Sequence, residues 1–114
     1  MKPILIVNLH TYKGHQFLVV RVFDALNQHV DDYMNHCFTA REAVEAIKQI
    51  AEAFDSPVEV WTSTNSIFKR CFREPSIHCR LKHPSDTEGT KFLFESHKDD
   101  LMEIHGLLPK TNKT

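Results

Sequence analysis

The chain has 114 residues, 41% of them hydrophobic and 25% charged, and its 14 basic and 15 acidic side chains leave a formal net charge of −1. These proportions exclude a disordered or fibrous protein, and the length suits one domain with a continuous apolar core. The longest apolar run, Ile4 to Leu9 with Asn8 inside it, is far short of the roughly 18 residues that a membrane span needs.

Met1-Lys2-Pro3 and the run after it offer no small-residue cleavage site, so the run reads as a buried strand and not as an export signal. Three cysteines, Cys37, Cys71 and Cys79, form no even set, and a reducing, cytoplasmic setting is expected. The expected organisation is one domain over residues 1–109 and a frayed tail over residues 110–114.

Ile4 to Leu9 and Phe17 to Phe23 are rich in Ile, Leu and Val and meet through Lys13-Gly14, where glycine takes a positive φ without steric penalty; they predict a β-hairpin. Apolar residues occupy both parities of each strand, so both faces should be covered. From Asp24 to Phe38 helical spacing competes with poor helix formers. A turn followed by a strand over Tyr33 to Phe38 is expected, with Cys37 and Phe38 in the core.

Thr39 and Glu42 form a capping box, the threonine oxygen accepting the third helical N–H and the glutamate reaching back to the cap's own N–H. Ala43, Val44, Ile47, Ile50, Ala51 and Phe54 follow at helical period, and the helix should run to Asp55-Ser56-Pro57. Val58 to Trp61 predicts a short strand, Asn65 to Arg73 a second helix, and Ile77 to Leu81 a further strand. Pro84 to Gly89 reads as a loop, the alternation of Phe92 and Phe94 in Thr90 to Glu95 as a strand, and Ser96 with Asp99 as the start of a short helix ending at Gly106.

The fold class is therefore α+β, a mixed sheet opened by an antiparallel hairpin and packed against two or three helices. Strand, strand, strand, helix, strand, helix, strand resembles the order of the ribonuclease H-like fold over residues 4–81. Two local matches sharpen it: Ala-Arg-Glu-Ala-Val-Glu-Ala-Ile at the first helix, and Val-Trp-Thr-Ser-Thr-Asn-Ser, where the family has a strand, Thr-Asp-Ser and a helix. The family's nucleases hold two magnesium ions with carboxylates on the first strand, the first helix and the end of the fourth strand. By this resemblance the three positions fall at Asn8, Glu42 and Asn65. Two of the three are amides, which bring no charge to offset the repulsion between two dications. The resemblance thus implies a degenerate active site, while the capping box accounts for Glu42 and a helix cap for Asn65.

His36-Cys37, His78-Cys79 and His83 are zinc-binding residue types, but adjacent residues in a strand point to opposite faces, and no Cys-x-x-Cys pair exists. No metal and no cofactor are expected. The run Lys69, Arg70, Arg73, Arg80 and Lys82, opposed by Glu74 alone, could bind nucleic-acid phosphates or simply form a solvated face.

Three functions follow from these residues. The first is a non-catalytic binding or interaction domain with an unknown protein partner or a second copy of itself, a homodimer. The second is a nucleic-acid-binding or degenerate nuclease-like protein using the basic residues. The third is a metal-dependent hydrolase built on Glu42, Asp99 or the histidines.

Overall fold

Two strands joined by a two-residue turn set up the sheet: β1 (Ile4–Tyr12) and β2 (His15–Phe23) pair antiparallel from Ile4 opposite Phe23 to Tyr12 opposite His15. Lys13 (φ 52°) and Gly14 (φ 81°) both take the left-handed region, as a type I′ hairpin turn requires. The computed structural model describes residues 2–62, 77–81 and 84–107. In the described part the chain continues through β3 (His29–Cys37), α1 (Ala40–Glu52), β4 (Val58–Thr62), β5 (Ile77–Leu81) and α2 (Pro84–Ile104). The helix expected over Asn65 to Arg73 and the tail over residues 110–114 lie outside the described residues.

The sheet order is β3-β2-β1-β4-β5. β1 to β3 form an antiparallel meander, whereas β1–β4 and β4–β5 pair in parallel. This is the α+β class with a mixed, hairpin-opened sheet that the sequence predicts.

β3 begins at His29, four residues before the expected Tyr33. The turn before it is tied by Asp24, whose Oδ1 accepts the N–H groups of Leu26 and Gln28, both at 2.9 Å, while Asn27 takes φ 64°. Asp31 and Asp32 argue against a strand on propensity. On this edge strand, however, Asp32 lies directly opposite Arg21, with Oδ1 3.8 Å from the Arg21 Nε, and an opposite-charge cross-strand pair of this kind favours the ladder.

Among the described residues, one helix packs on each face of the sheet. α1 buries Ala43, Val44, Ile47 and Ala51 against Leu5 and Val7 of β1, Leu18, Val20 and Val22 of β2, Cys37 of β3, and Val58 and Val60 of β4. On the other face, α2 packs Phe94, Leu101 and Met102 against Phe17 and Val19. The apolar residues of both parities in the central strands serve these two layers.

α1 begins where the capping box predicts. Thr39 Oγ1 accepts the Glu42 N–H at 3.2 Å, and Glu42 Oε1 accepts the N–H of Phe38 at 2.9 Å. The carboxylate thus reaches one residue beyond the cap's own N–H. The helix ends at Glu52, with Ala53 and Phe54 tightening into i→i−3 bonds to Ile50 and Ala51 at 3.1 Å.

The chain after Pro84 corrects the expected loop, strand and short helix: residues 84–104 are one continuous helix. Phe92 is 75% exposed and Phe94 only 2%, whereas a strand would have placed both on one face. Thr90, Phe94, Leu101 and Met102 share the buried stripe at helical spacing. Proline is accommodated at the opening because the first helical N–H has no partner in any case. The end follows expectation. Gly106 (φ 67°) donates its N–H to the Glu103 carbonyl at 3.0 Å, and Leu107 donates to Met102 at 2.8 Å, a Schellman closure.

Removing the α1 cap by Thr39→Ala should lower the unfolding free energy by about 1 kcal/mol. Ile47→Ala, which empties a fully buried site, should lower it by about 2–5 kcal/mol. Urea titration followed by far-ultraviolet circular dichroism measures both.

Candidate functional site

β1, β3, β4 and β5 run in one direction and β2 in the other, so four carboxyl ends meet at one end of the sheet. The Lys13-Gly14 turn and the capped start of α1 lie at the same end. Ligands of sheets with parallel strands commonly bind outside such carboxyl ends.

On the α2 face, β1 carries polar side chains inward. Asn8 is 2% exposed and its Nδ2 donates to Thr90 Oγ1 at 2.8 Å. The Thr90 hydroxyl also lies 3.1 Å from His10 Nε2, and the His10 ring stacks on Phe94 with 5.2 Å between centroids and 13° between planes. Burial lowers the His10 pKa from its ordinary value, against the opposing charge of Glu95, and Lys91 lowers it further. A neutral His10 can accept the Thr90 proton at Nε2. Nearby, Tyr12 donates its hydroxyl to Asp99 Oδ1 at 2.7 Å.

Toward the hairpin end, three imidazoles from three elements gather around the end of β3. The His36 centroid lies 5.3 Å from that of His15 and 5.9 Å from that of His105, and Phe38 meets His36 edge to face at 4.4 Å. Thr11, His15, Gln16, His36 and Phe38 line an open cleft of about 410 Å³. Burial lowers the His36 pKa, and His15 and His105 lower it further while Glu42 opposes them.

His36 and Cys37 diverge as neighbours in a strand must: His36 contacts Phe17 on the α2 face, and Cys37 is buried under α1. Burial, with the Glu42 charge second, pushes the Cys37 thiol up, so it stays protonated and a poor nucleophile. Phe38, expected in the core, is instead 75% exposed.

The sequence matches no protein-family model and no curated protein. Solved structures do match its fold. LC11 ribonuclease H1, isolated from compost by a metagenomic approach, has a TM-score of 0.63 at 14% identity over 88% of this chain and 98% of that one. Ribonuclease H1 from the halophilic archaeon Halobacterium salinarum has a TM-score of 0.64 at 10% identity over 88% and 99%. A chain from the simian T-cell lymphotropic virus intasome in complex with the PP2A regulatory subunit B56 gamma has a TM-score of 0.51 at 14% identity, over 95% of this chain and 43% of that one.

The fold is ribonuclease H-like. Leu5, Val7 and Leu9 of β1 face α1, Asn8 points to the opposite face, at Thr90, and Glu42 accepts the Phe38 N–H. Asn65 lies outside the described residues.

Of the basic run, Lys69, Arg70, Arg73 and Lys82 also lie outside the described residues, as does His83. Arg80 sits on β5 opposite Trp61 of β4. Asp99 is on α2, bonded to Tyr12 and away from α1. Sequence reading missed the pairing of Asn8 with Thr90 and the gathering of His15, His36 and His105. The two-residue spacing of His15 and Phe17, and of Asn8 and His10, signalled a shared face for each pair, but nothing local linked them to α2.

Thr90→Val, which deprives both Asn8 and His10 of the hydroxyl, should cost about 1–3 kcal/mol in urea unfolding, and Thr90→Ser much less. The histidines predict a pH dependence with a definite sign. Their folded pKa values lie below the ordinary one near 6.5, so the unfolded chain binds protons first as pH falls. The stability they contribute is present above about pH 6.5 and is lost as pH drops toward the folded values. Tm should fall between about pH 7.5 and 5.5 in the native protein and fall less in His10→Gln and His36→Gln.

Proposed function

We propose that the chain is a non-catalytic ribonuclease H-like domain that binds nucleic acid. The observation that carries this reading is β1 itself: Ile4 to Tyr12 contains no carboxylate on either face. Two dications held close together need anionic oxygens from converging elements. The first-turn acid of α1, Glu42, accepts the Phe38 N–H, and nothing on the adjoining strand joins it. Among the described residues, the donors around Glu42 do not make up a two-magnesium centre.

Nucleic acid as the ligand class is supported by the fold shared with ribonuclease H1 proteins and by the basic residues between Lys69 and Lys82. A second reading, self-association, is favoured by Leu26 and Val30, 78% and 53% exposed at the turn and edge strand of the sheet. A concentration-dependent rise in mass by sedimentation, abolished in Leu26→Glu, would establish it.

Labelled single-stranded RNA, single-stranded DNA and an RNA–DNA hybrid test the main proposal. Binding through about four phosphate contacts should weaken on the order of 50-fold for single strands and 150-fold for a duplex between 50 and 200 mM salt. None of the three should be cleaved with magnesium or manganese. Cleavage that disappears in Glu42→Gln would overturn the non-catalytic assignment, and no retention at low salt would overturn nucleic acid as the ligand.

A further inference from the structure

We infer that the cleft at the hairpin end of the sheet, between the Phe38 ring and the imidazoles of His15 and His36, receives an unpaired nucleobase. The inference rests on the nucleic-acid reading above and gives it a site.

Phe38 is the first feature. Its ring is 75% exposed, yet its backbone is fixed, because the Glu42 carboxylate holds its N–H at 2.9 Å and Thr39 immediately begins the capped helix. The ring is also steadied by the edge-to-face contact with His36 at 4.4 Å and 76°. An aromatic face held in water by an anchored backbone needs little further ordering to stack a planar ligand.

The second feature is what lines the cleft beside it. Thr11, His15, Gln16 and His36 bring hydroxyl, amide and imidazole groups, each able to donate and to accept when neutral. Among the described residues, no lysine or arginine lines the cleft. The nearest hairpin cation, Lys13, has its Nζ 5.3 Å from the Tyr12 ring centroid. Burial and the crowding of three imidazoles disfavour protonation of His36. A phosphate would require cations, whereas a base edge requires mixed donors and acceptors beside an aromatic plane.

The cleft volume of about 410 Å³ lies within the usual range for small planar ligands. A base can reach a single exposed ring only when it is free of its own stack, so the preferred ligand is single-stranded. His105, just after α2, lies beside His36 with 5.9 Å between ring centroids.

Anisotropy titrations of a labelled single-stranded decanucleotide and the matching duplex test this, with native protein, Phe38→Ala, Phe38→Tyr and the control Phe92→Ala. Phe38→Ala should weaken single-strand binding roughly 5- to 100-fold, with an unchanged slope against log salt, since no charge is lost. Phe38→Tyr and Phe92→Ala should bind as the native protein does, and duplex binding should not change. Far-ultraviolet circular dichroism confirms that the variants are folded, as expected for an exposed position. In the native protein, the ring resonances of His15 and His36 should shift on titration with single strand.

Equal binding by Phe38→Ala and the native protein would overturn the base site and leave the phosphate-binding reading standing. An equal loss on duplex and single strand would overturn it too. Failure of the native protein to bind any oligonucleotide at low salt would overturn both.

Discussion

The buried bond from Asn8 to Thr90 fixes how the second helix lies on the sheet. An amide side chain in the middle of an apolar strand, 2% exposed, must find partners inside the protein. The Thr90 hydroxyl meets it at 2.8 Å and stands beside His10 at 3.1 Å. Each residue of slip would turn the helix by about 100° and move Thr90 away from both. With this contact in place, Phe94 stacks on His10, Leu101 and Met102 reach Phe17 and Val19, and His105 arrives beside His36. The composition of the cleft therefore depends on a bond made at the far part of the same helix.

The hairpin, the start of α1 and the closing glycine of α2 were legible because each is specified by adjacent residues. Lys13-Gly14 needs only its own φ angles, Thr39 and Glu42 are three apart, and Gly106 closes on carbonyls of the preceding turn. The Pro84–Ile104 helix was obscured because Phe92 and Phe94 alternate like strand residues, and the contact that assigns them to different surfaces comes from Phe17, far away in sequence. Asp31 and Asp32 concealed the start of β3 for a similar reason, since the partner that suits Asp32 to a strand is Arg21 on the neighbouring one.

The face of Asn8 illustrates a deeper limit. Alternation in β1 separates Leu5, Val7 and Leu9 from Ile4, Ile6 and Asn8, but both sets are apolar enough to face a helix. Which set meets α1 is decided by how the chain crosses the sheet. Asn8 consequently faces α2, at Thr90, and no β1 side chain on either face supplies a carboxylate charge.

Glu42 acts differently in this setting. Its carboxylate does not sit in an array of converging acids; it holds the Phe38 N–H and, by its charge, helps to keep the Cys37 thiol protonated. One acid thus stabilises the start of α1 and fixes the backbone of an exposed aromatic at the carboxyl end of the sheet. Phe92 is equally exposed, but it lies in mid-helix and has no ring partner among the described residues. Scattered exposed apolar side chains are ordinary on protein surfaces. What distinguishes Phe38 is that its backbone is anchored, its ring is braced by His36, and it borders a cleft of hydroxyl, amide and imidazole groups.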